Sequence, residues 1–272
     1  PVPAGDGGVN WSISNTSQVS NVARIKVEDT SNPTVVYDTS NNTFNVIAYL
    51  DVTNPENGNI TIAEEPYNIT WTKKGTGADN IVVQYRTNDT SSWRNVVNDV
   101  VNNTTTAPNT GTYYWASVPG NVLSEFCKIR IYDPNNLNST NEGAGYFDLR
   151  GNITVARPNG AEIFEVGTTE YINWTKQGNI STVDIKYSYD NGSNYNTTLA
   201  SGVTASNLTW NWSISNATTL ATQGKIRIAD SSRPTVVFDV SNSPFELRGR
   251  LEVITPSDPG IVLTYDRGNT FY

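Results

Sequence analysis

The absence of histidine narrows the chemistry available to this 272-residue chain. Without histidine, Ser-His and Cys-His nucleophilic systems are excluded, together with the commonest zinc and copper ligand. Glu64 and Glu65 are the obvious acid pair. Neighbouring residues in a loop or strand point to opposite sides, so two cooperating acids are not expected there. The sequence therefore predicts no enzymatic activity.

Two further patterns could carry chemistry, but each has a structural interpretation. Ser188, Asp190, Gly192 and Tyr195 have the spacing of an Asp-box. The Asn-Gly step inside it favours a tight hairpin, because both residues tolerate positive φ. The oxygen-rich segment 133–136 could hold calcium, yet its spacing matches no standard calcium-binding loop. We therefore predict turns at both places, with no metal site and no cofactor apart from covalent N-glycans.

Cys127 is the single cysteine, so an internal disulfide bond is excluded. It shares a predicted strand face with Ile129 and Ile131, which indicates a small buried side chain. Trp93 and Tyr195 follow turns and are expected to be exposed. Five other tryptophans alternate with polar residues and are predicted to lie in the core: Trp71, Trp115, Trp174, Trp210 and Trp212.

Charge and hydropathy exclude several partners. The net charge of -8 opposes phosphate backbones and anionic membrane surfaces, so no nucleic-acid partner is expected. Apolar stretches such as 46–50 fall far short of the ~20 residues that a bilayer-spanning helix needs, so no membrane span is expected in this segment. The chain begins at Pro1 and contains no methionine, which favours a processed or partial chain.

N-glycosylation acceptor sequons are in excess. The 35 asparagines and 57 serines and threonines would form roughly 7 sequons by chance, yet the chain has 17. This excess favours secretion to the extracellular space or the cell surface. The predicted glycosylation sites are Asn10, Asn15, Asn41, Asn59, Asn68, Asn88, Asn102, Asn103, Asn138, Asn152, Asn173, Asn179, Asn191, Asn196, Asn207, Asn211 and Asn216.

An internal repeat organises the chain. The segments that begin at Leu50, Ile153 and Leu251 are equivalent, with offsets of 103 and 98 residues. A second set of landmarks closes each repeat: Trp11, Trp115 and Trp212; Ile25, Ile129 and Ile226; Phe44, Phe147 and Phe245. We therefore predict a closing half-repeat at 1–46, complete repeats at 50–149 and 153–248, and the opening strands of a further repeat at 251–272.

The hydrophobic period within each repeat is two, as in half-buried strands. In segment 207–214, for example, Leu208, Trp210, Trp212 and Ile214 are predicted to share the inward face. Seven or so short strands without helical periodicity in ~100 residues indicate an all-β, antiparallel two-sheet sandwich.

The second repeat resembles the module of Kre9/Knh1-type Ser/Thr-rich microbial cell-surface proteins. The likeness is carried by segments 158–162, 172–174, 187–192, 212–214 and 227–230 and by Phe245. It implies tandem immunoglobulin-like β-sandwiches used in walls, surface layers and long extracellular proteins. The resemblance brings no catalytic residues with it.

The sequence thus favours a structural, heavily N-glycosylated extracellular fibre or cell-surface protein. The alternative is an adhesin or carbohydrate-binding module, which would need an exposed aromatic or acidic cluster in each repeat. The half-repeats at the two ends predict a homo-oligomer assembled head to tail by strand complementation, because two or three strands with one apolar face uncovered are marginal in water.

Overall fold

The computed structural model describes residues 2–15, 17–101 and 109–251. The chain forms two compact units, Pro1–Gly151 and Asn152–Tyr272. In the described residues, helical structure is limited to two 3-10 turns, Ala4–Asp6 and Ala205–Asn207. Strands make up the remaining regular structure, which confirms the all-β prediction.

The first unit begins with four short strands. They are Ser20–Ala23 (β1), Lys26–Glu28 (β2), Tyr37–Thr39 (β3) and Phe44–Val46 (β4). β1 pairs with β4 and β2 pairs with β3, both antiparallel. These strands correspond in sequence to the closing strands of the complete repeats.

Nine strands form a two-sheet sandwich in the rest of the first unit. They are Tyr49–Asn54 (β5), Ile60–Ile62 (β6), Tyr67–Lys74 (β7), Asn80–Arg86 (β8), Arg94–Val101 (β9), Asn109–Trp115 (β10), Ser124–Asp133 (β11), Asn136–Glu142 (β12) and Phe147–Arg150 (β13). One sheet has the order β10-β7-β5, and the other has the order β6-β13-β11-β8-β9, with β12 also pairing with β11. Strand β6 runs parallel to β13.

The second unit repeats this topology strand for strand. Its strands are Asn152–Arg157 (β14), Ile163–Glu165 (β15), Thr169–Gln177 (β16), Thr182–Ser188 (β17), Thr197–Thr204 (β18), Thr209–Ser213 (β19), Ala221–Asp230 (β20), Phe238–Val240 (β21) and Phe245–Arg248 (β22). The sheets are β14-β16-β19 and β15-β22-β20-β17-β18, and β21 pairs with β20. The chain therefore contains tandem immunoglobulin-like β-sandwiches, as predicted.

Alternating side chains from the two sheets form each core. In β7, Ile69, Trp71 and Lys73 are buried, while the residues between them are partly exposed. The Lys73 ammonium donates to the Ala78 carbonyl at 2.9 Å, and burial lowers the pKa of Lys73. In β16, Trp174 is buried, and its Nε1 donates to a backbone carbonyl oxygen at 3.0 Å. The inward placement of both tryptophans is confirmed.

The predicted inward position of Leu208 is wrong. Leu208 is exposed and lies before β19, at the end of a 3-10 turn, with a φ of 59°. This left-handed backbone interrupts the alternation one residue before the strand begins, so Leu208 lies out of register with Trp210 and Trp212.

Candidate functional site

The predicted acid pair lies in a turn after β6. Glu64 and Glu65 are both exposed, and Glu64 has a φ of 68°. The Glu64 N–H donates to the Val118 carbonyl at 2.8 Å, and the Val118 N–H donates to the Glu65 carbonyl at 3.1 Å. The pair therefore fixes a turn against the segment that follows β10.

The Asp-box-like segment is a hydrogen-bonded turn. The Ser188 hydroxyl donates to Asp190 Oδ1 at 2.6 Å and accepts from the Gly192 N–H at 2.9 Å. Asp190 also accepts from the Asn194 backbone N–H at 2.9 Å and from Asn194 Nδ2 at 2.8 Å. The bonds from Ser188 and Asn194 lower the pKa of Asp190 to about 2. The carboxylate thus stabilises the turn that the Asn-Gly step predicts.

The oxygen-rich segment also forms a turn. Asp133 is buried, and its Oδ1 accepts from the Asn135 N–H at 2.8 Å. Among the residues that the structure describes, no group of three or more His, Cys, Asp or Glu side chains is placed to hold a metal ion. Cys127 is buried in the core of the first sandwich, as predicted, and its Sγ donates to the Ser124 carbonyl at 3.4 Å.

Four of the five tryptophans predicted to lie in the core are buried: Trp71, Trp115, Trp174 and Trp212. The fifth, Trp210, is half-buried.

Trp93 and Tyr195, which were expected to be exposed, are half-buried. The guanidinium groups of Arg86 and Arg130 lie over the Trp93 ring, with their carbon atoms 4.7 and 4.5 Å from its centroid. The ring therefore makes cation–π contacts with the protein's own side chains. Neither residue forms the exposed platform that sugar stacking would require.

Most predicted glycosylation sites are accessible. Asn59 and Asn173 are half-buried, and Asn102 and Asn103 lie outside the described residues. Asn173 accepts a hydrogen bond from Thr209 Oγ1 at 2.8 Å through Oδ1, whereas a glycan is attached through Nδ2. The exposed sites are Asn10, Asn15, Asn41, Asn68, Asn88, Asn138, Asn152, Asn179, Asn191, Asn196, Asn207, Asn211 and Asn216. Glycan occupancy stays a prediction.

Most of the exposed large apolar side chains of the first unit lie in residues 2–46. We call Trp11, Ile25, Val27 and Val36 the N-terminal face; all four are exposed. Trp11 is 55% exposed, whereas its equivalent Trp212 is 3% exposed. An open groove of about 700 Å³ lies beside Val27 and Val36 and is lined in part by Asp38 and by Val2 and Ala4 of the same segment. The same residue types that form a core in the complete repeats are therefore presented to solvent here.

Backbone hydrogen bonds attach this segment to the neighbouring sandwich. The Gly75 N–H donates to the Asn15 carbonyl at 2.7 Å, and the Thr76 N–H donates to the Ser17 carbonyl at 2.9 Å. The Val19 N–H donates to the Thr76 carbonyl at 2.9 Å. The loop after β7 thus anchors the chain ahead of β1.

Comparison with known proteins gives remote structural likenesses. No protein-family model matches the sequence, and no curated protein matches it. Fibronectin(III)-like modules of Clostridium thermocellum CbhA share 15% identity, with 74% of this chain and 94% of that chain covered, at a TM-score of 0.26. The N-terminal four Ig domains of Dscam1 isoform 6.44 share 7% identity, with 83% and 54% covered, at a TM-score of 0.34. The teleost fish polymeric Ig receptor ectodomain shares 8% identity, with 75% and 100% covered, at a TM-score of 0.29.

The strand order and register define this chain as a tandem immunoglobulin-like protein independently of those likenesses. In the residues described, no helix has the length and apolar character needed to cross a membrane.

Proposed function

We propose that the chain is a structural, N-glycosylated protein of the cell exterior, whose immunoglobulin-like repeats assemble head to tail into a fibre or surface array. The observation that carries the proposal is the distribution of its sequons. Of the 15 predicted glycosylation sites in the described residues, 13 are exposed, and they occur in both units. Surface sites of this density suit a protein whose outer faces carry glycans.

The architecture supports a structural role. A single residue, Gly151, separates β13 from β14, so the connection between the complete repeats is short. Of the residues that first suggested chemistry, Asp133 and Asp190 bind turn residues through their carboxylates, and Glu64 is held in a turn through its backbone. The N-terminal face supplies an apolar surface on which a neighbouring subunit could assemble.

The carbohydrate-binding alternative loses its best candidates. It requires exposed aromatic side chains in each repeat, and both Trp93 and Tyr195 are half-buried. No aromatic cluster that recurs in both complete repeats favours it among the described residues.

Glycopeptide mass spectrometry of the native protein tests the glycosylation. We expect added mass at the exposed sequons and at none of the other asparagines. Asn45 is a matched control, because it is exposed but lies outside any sequon. An unmodified chain mass would refute export through a glycosylating pathway.

Electron microscopy of the same native material tests the assembly. We expect filaments or ordered arrays with a subunit repeat. Isolated monomers at all concentrations would refute the structural role and return attention to ligand binding.

A further inference from the structure

We infer that residues 251–256 of a second copy of the chain complete the N-terminal face, and that Asp38 and Ser40 hold them there. The inference rests on the head-to-tail assembly proposed above and identifies the two surfaces that would meet. It is carried by a hydrogen bond that joins the opening strand to the closing strands in both complete repeats. Among the described residues of the N-terminal segment, only the acceptor side of this bond is present.

The backbone register shows that the N-terminal segment is a closing half-repeat in structure as well as in sequence. Val27 of β2 pairs with Asp38 of β3, as Ile228 of β20 pairs with Asp239 of β21. Ile228 is fully buried, whereas Val27 is 69% exposed. The strands are arranged alike, and the difference is the absence of a cover over Val27 among the described residues.

The opening strand provides that cover in both complete repeats. β5 lies against β11 and β12, and β14 lies against β20 and β21. The Val52 N–H donates to Asn141 Oδ1 at 2.9 Å, and the Val155 N–H donates to Asp239 Oδ2 at 2.8 Å. In each complete repeat, therefore, a valine N–H of the opening strand donates to a side-chain oxygen, and the two acceptor residues occupy equivalent positions of the closing strands.

Asp38 is the third acceptor in this series. It occupies the register position of Asp239 and is exposed. Its carboxylate forms no hydrogen bond with any of the described residues. A carboxylate binds an N–H more strongly than a neutral acceptor does, so an incoming strand would find a strong acceptor already in place.

Ser40 provides a second point of attachment. Its equivalent, Ser241, is buried and donates through Oγ to the Pro158 carbonyl at the end of the opening strand, at 2.7 Å. Both serines also accept an N–H from the equivalent isoleucine of the closing strand, at 3.2 Å for Ser40 and 3.0 Å for Ser241. Among the described residues, the Ser40 hydroxyl donates instead to the Asn42 carbonyl at 3.1 Å.

The sequence from Leu251 matches the opening strands of the two complete repeats. Residues 251–256 read Leu-Glu-Val-Ile-Thr-Pro, and the two complete repeats have Val and Pro at the same places. Val253 is thus equivalent to Val155, and Pro256 to Pro158. Of this strand, only Leu251 lies within the described residues, and it is almost fully exposed.

We assign the contact to two copies because the head-to-tail assembly proposed above brings residues 251–256 of one copy to the N-terminal face of the next. In both complete repeats, the opening strand instead lies in the same unit as the closing strands that it contacts. The Val253 N–H would donate to the Asp38 carboxylate, and Ser40 Oγ would donate to the Pro256 carbonyl. Such a contact joins different surfaces of the two copies, so its repetition without closure gives an open filament.

Binding of a labelled peptide of residues 251–272 to the full chain tests the contact. We expect saturable binding that Asp38→Ala weakens about tenfold to a hundredfold, as for loss of a hydrogen bond to a charged group. Asp38→Asn should retain most of the affinity, because asparagine serves as the acceptor in the first repeat. Glu125→Ala is the control for charge, since Glu125 is exposed and distant in sequence from the face.

A second peptide isolates the backbone donor. N-methylvaline at position 253 removes the N–H and keeps the side chain, so the methylated peptide should bind about tenfold to a hundredfold more weakly than the parent peptide. Equal binding of the two peptides, or no binding of either, would overturn the inference.

Cross-linking distinguishes two copies from one. Thr39→Cys in one preparation and Glu252→Cys in another leave both contact residues intact, and Cys127 is buried. A short bismaleimide should link the mixed chains into heterodimers. Closure of the Thr39→Cys/Glu252→Cys double variant on itself at high dilution would overturn the two-copy assignment.

Micrographs of Asp38→Ala separate this inference from the function on which it rests. We expect the parent and Glu125→Ala to form filaments and Asp38→Ala to remain dispersed. Filaments of unchanged length in Asp38→Ala would overturn the inference and leave the fibre function standing. An absence of filaments in the parent would refute both.

Discussion

Trp11 and Trp212 occupy equivalent places, one in solvent and one in a core, and replacing each with alanine should have very different effects. Trp212 packs against the rings of Phe164, Tyr187 and Phe245, at centroid distances of 6.2, 5.4 and 6.2 Å. Complete burial of a tryptophan removes about 150 to 250 Å² from water, worth about 4 to 6 kcal/mol at roughly 25 cal/mol per Å². We expect Trp212→Ala to cost about 3 to 5 kcal/mol.

Trp11→Ala should cost less stability in the dilute, unassembled chain. More than half of it is exposed, and its ring meets that of Phe44 at 6.3 Å. Scaling the burial energy by the covered fraction gives at most about 2 to 3 kcal/mol for Trp11→Ala.

Differential scanning calorimetry measures the unfolding of both variants. Where the two units unfold at different temperatures, each gives its own transition. A loss of about 4 kcal/mol should lower the transition of the second unit by at least about 15 °C. If Trp212→Ala melted like the parent, the packing assigned to β19 would be wrong. If Trp11→Ala were equally damaging, the N-terminal face would be covered in the isolated chain.

Three further predictions concern single residues. Burial raises the pKa of Tyr187 to about 12 from its usual 10.0, so the second unit should lose stability as the pH rises from 10.0 to about 12. Melting curves and ultraviolet titration check this loss. A Tyr187→Phe variant should lack it. Hydrogen bonds lower the pKa of Asp190 from 3.8 to about 2. The parent should therefore be more stable than Asp190→Asn above pH 3.8, and this difference should disappear as the pH falls to about 2. Melting curves measure the difference, and a difference that did not change with pH would contradict the prediction. A Cβ at Gly111 would overlap the Trp71 indole, so Gly111→Ala should destabilise the first unit by about 1 to 3 kcal/mol in denaturant titrations, whereas Gly143→Ala, whose Cβ would have ordinary contacts, should cost less than about half as much.

Local sequence patterns predicted the repeated sandwich and much of its core. The alternation around Trp71 and Trp174 set their inward direction, because a strand with one buried face has a period of two. It failed at Leu208, where a left-handed residue ends the 3-10 turn before β19. A backbone change of this kind depends on how the loop packs, and periodicity cannot report it.

The turn residues were predictable where the chemistry is local. Asp190 accepts bonds from residues within four positions of it, and the Asn-Gly step already indicated a hairpin. The contact of Trp93 with two guanidinium groups was not predictable, because Arg130 comes from a distant strand.

The acceptors at Asn141 and Asp239 also required the structure. Each binds an N–H that lies more than 80 residues away in sequence, with separations of 89 and 84. Asn141 lies in a polar segment and Asp239 is flanked by apolar residues, and nothing local in either segment indicates a distant backbone N–H as its partner. The match of residues 33–38 to residues 234–239 aligns Asp38 with Asp239 in sequence, but the structure was needed to show what Asp239 binds.

The parallel pairing of β6 with β13, and of β15 with β22, has a mechanical consequence. Each pair joins a strand near the start of a repeat to the strand that ends it. Tension applied to the two ends of a repeat would pull the paired strands in opposite directions along their length. The hydrogen bonds between them would then be sheared together rather than opened one after another. Resistance to such a pull is set by the unfolding rate rather than by the equilibrium stability, so these two short pairings would govern how long a stretched repeat survives.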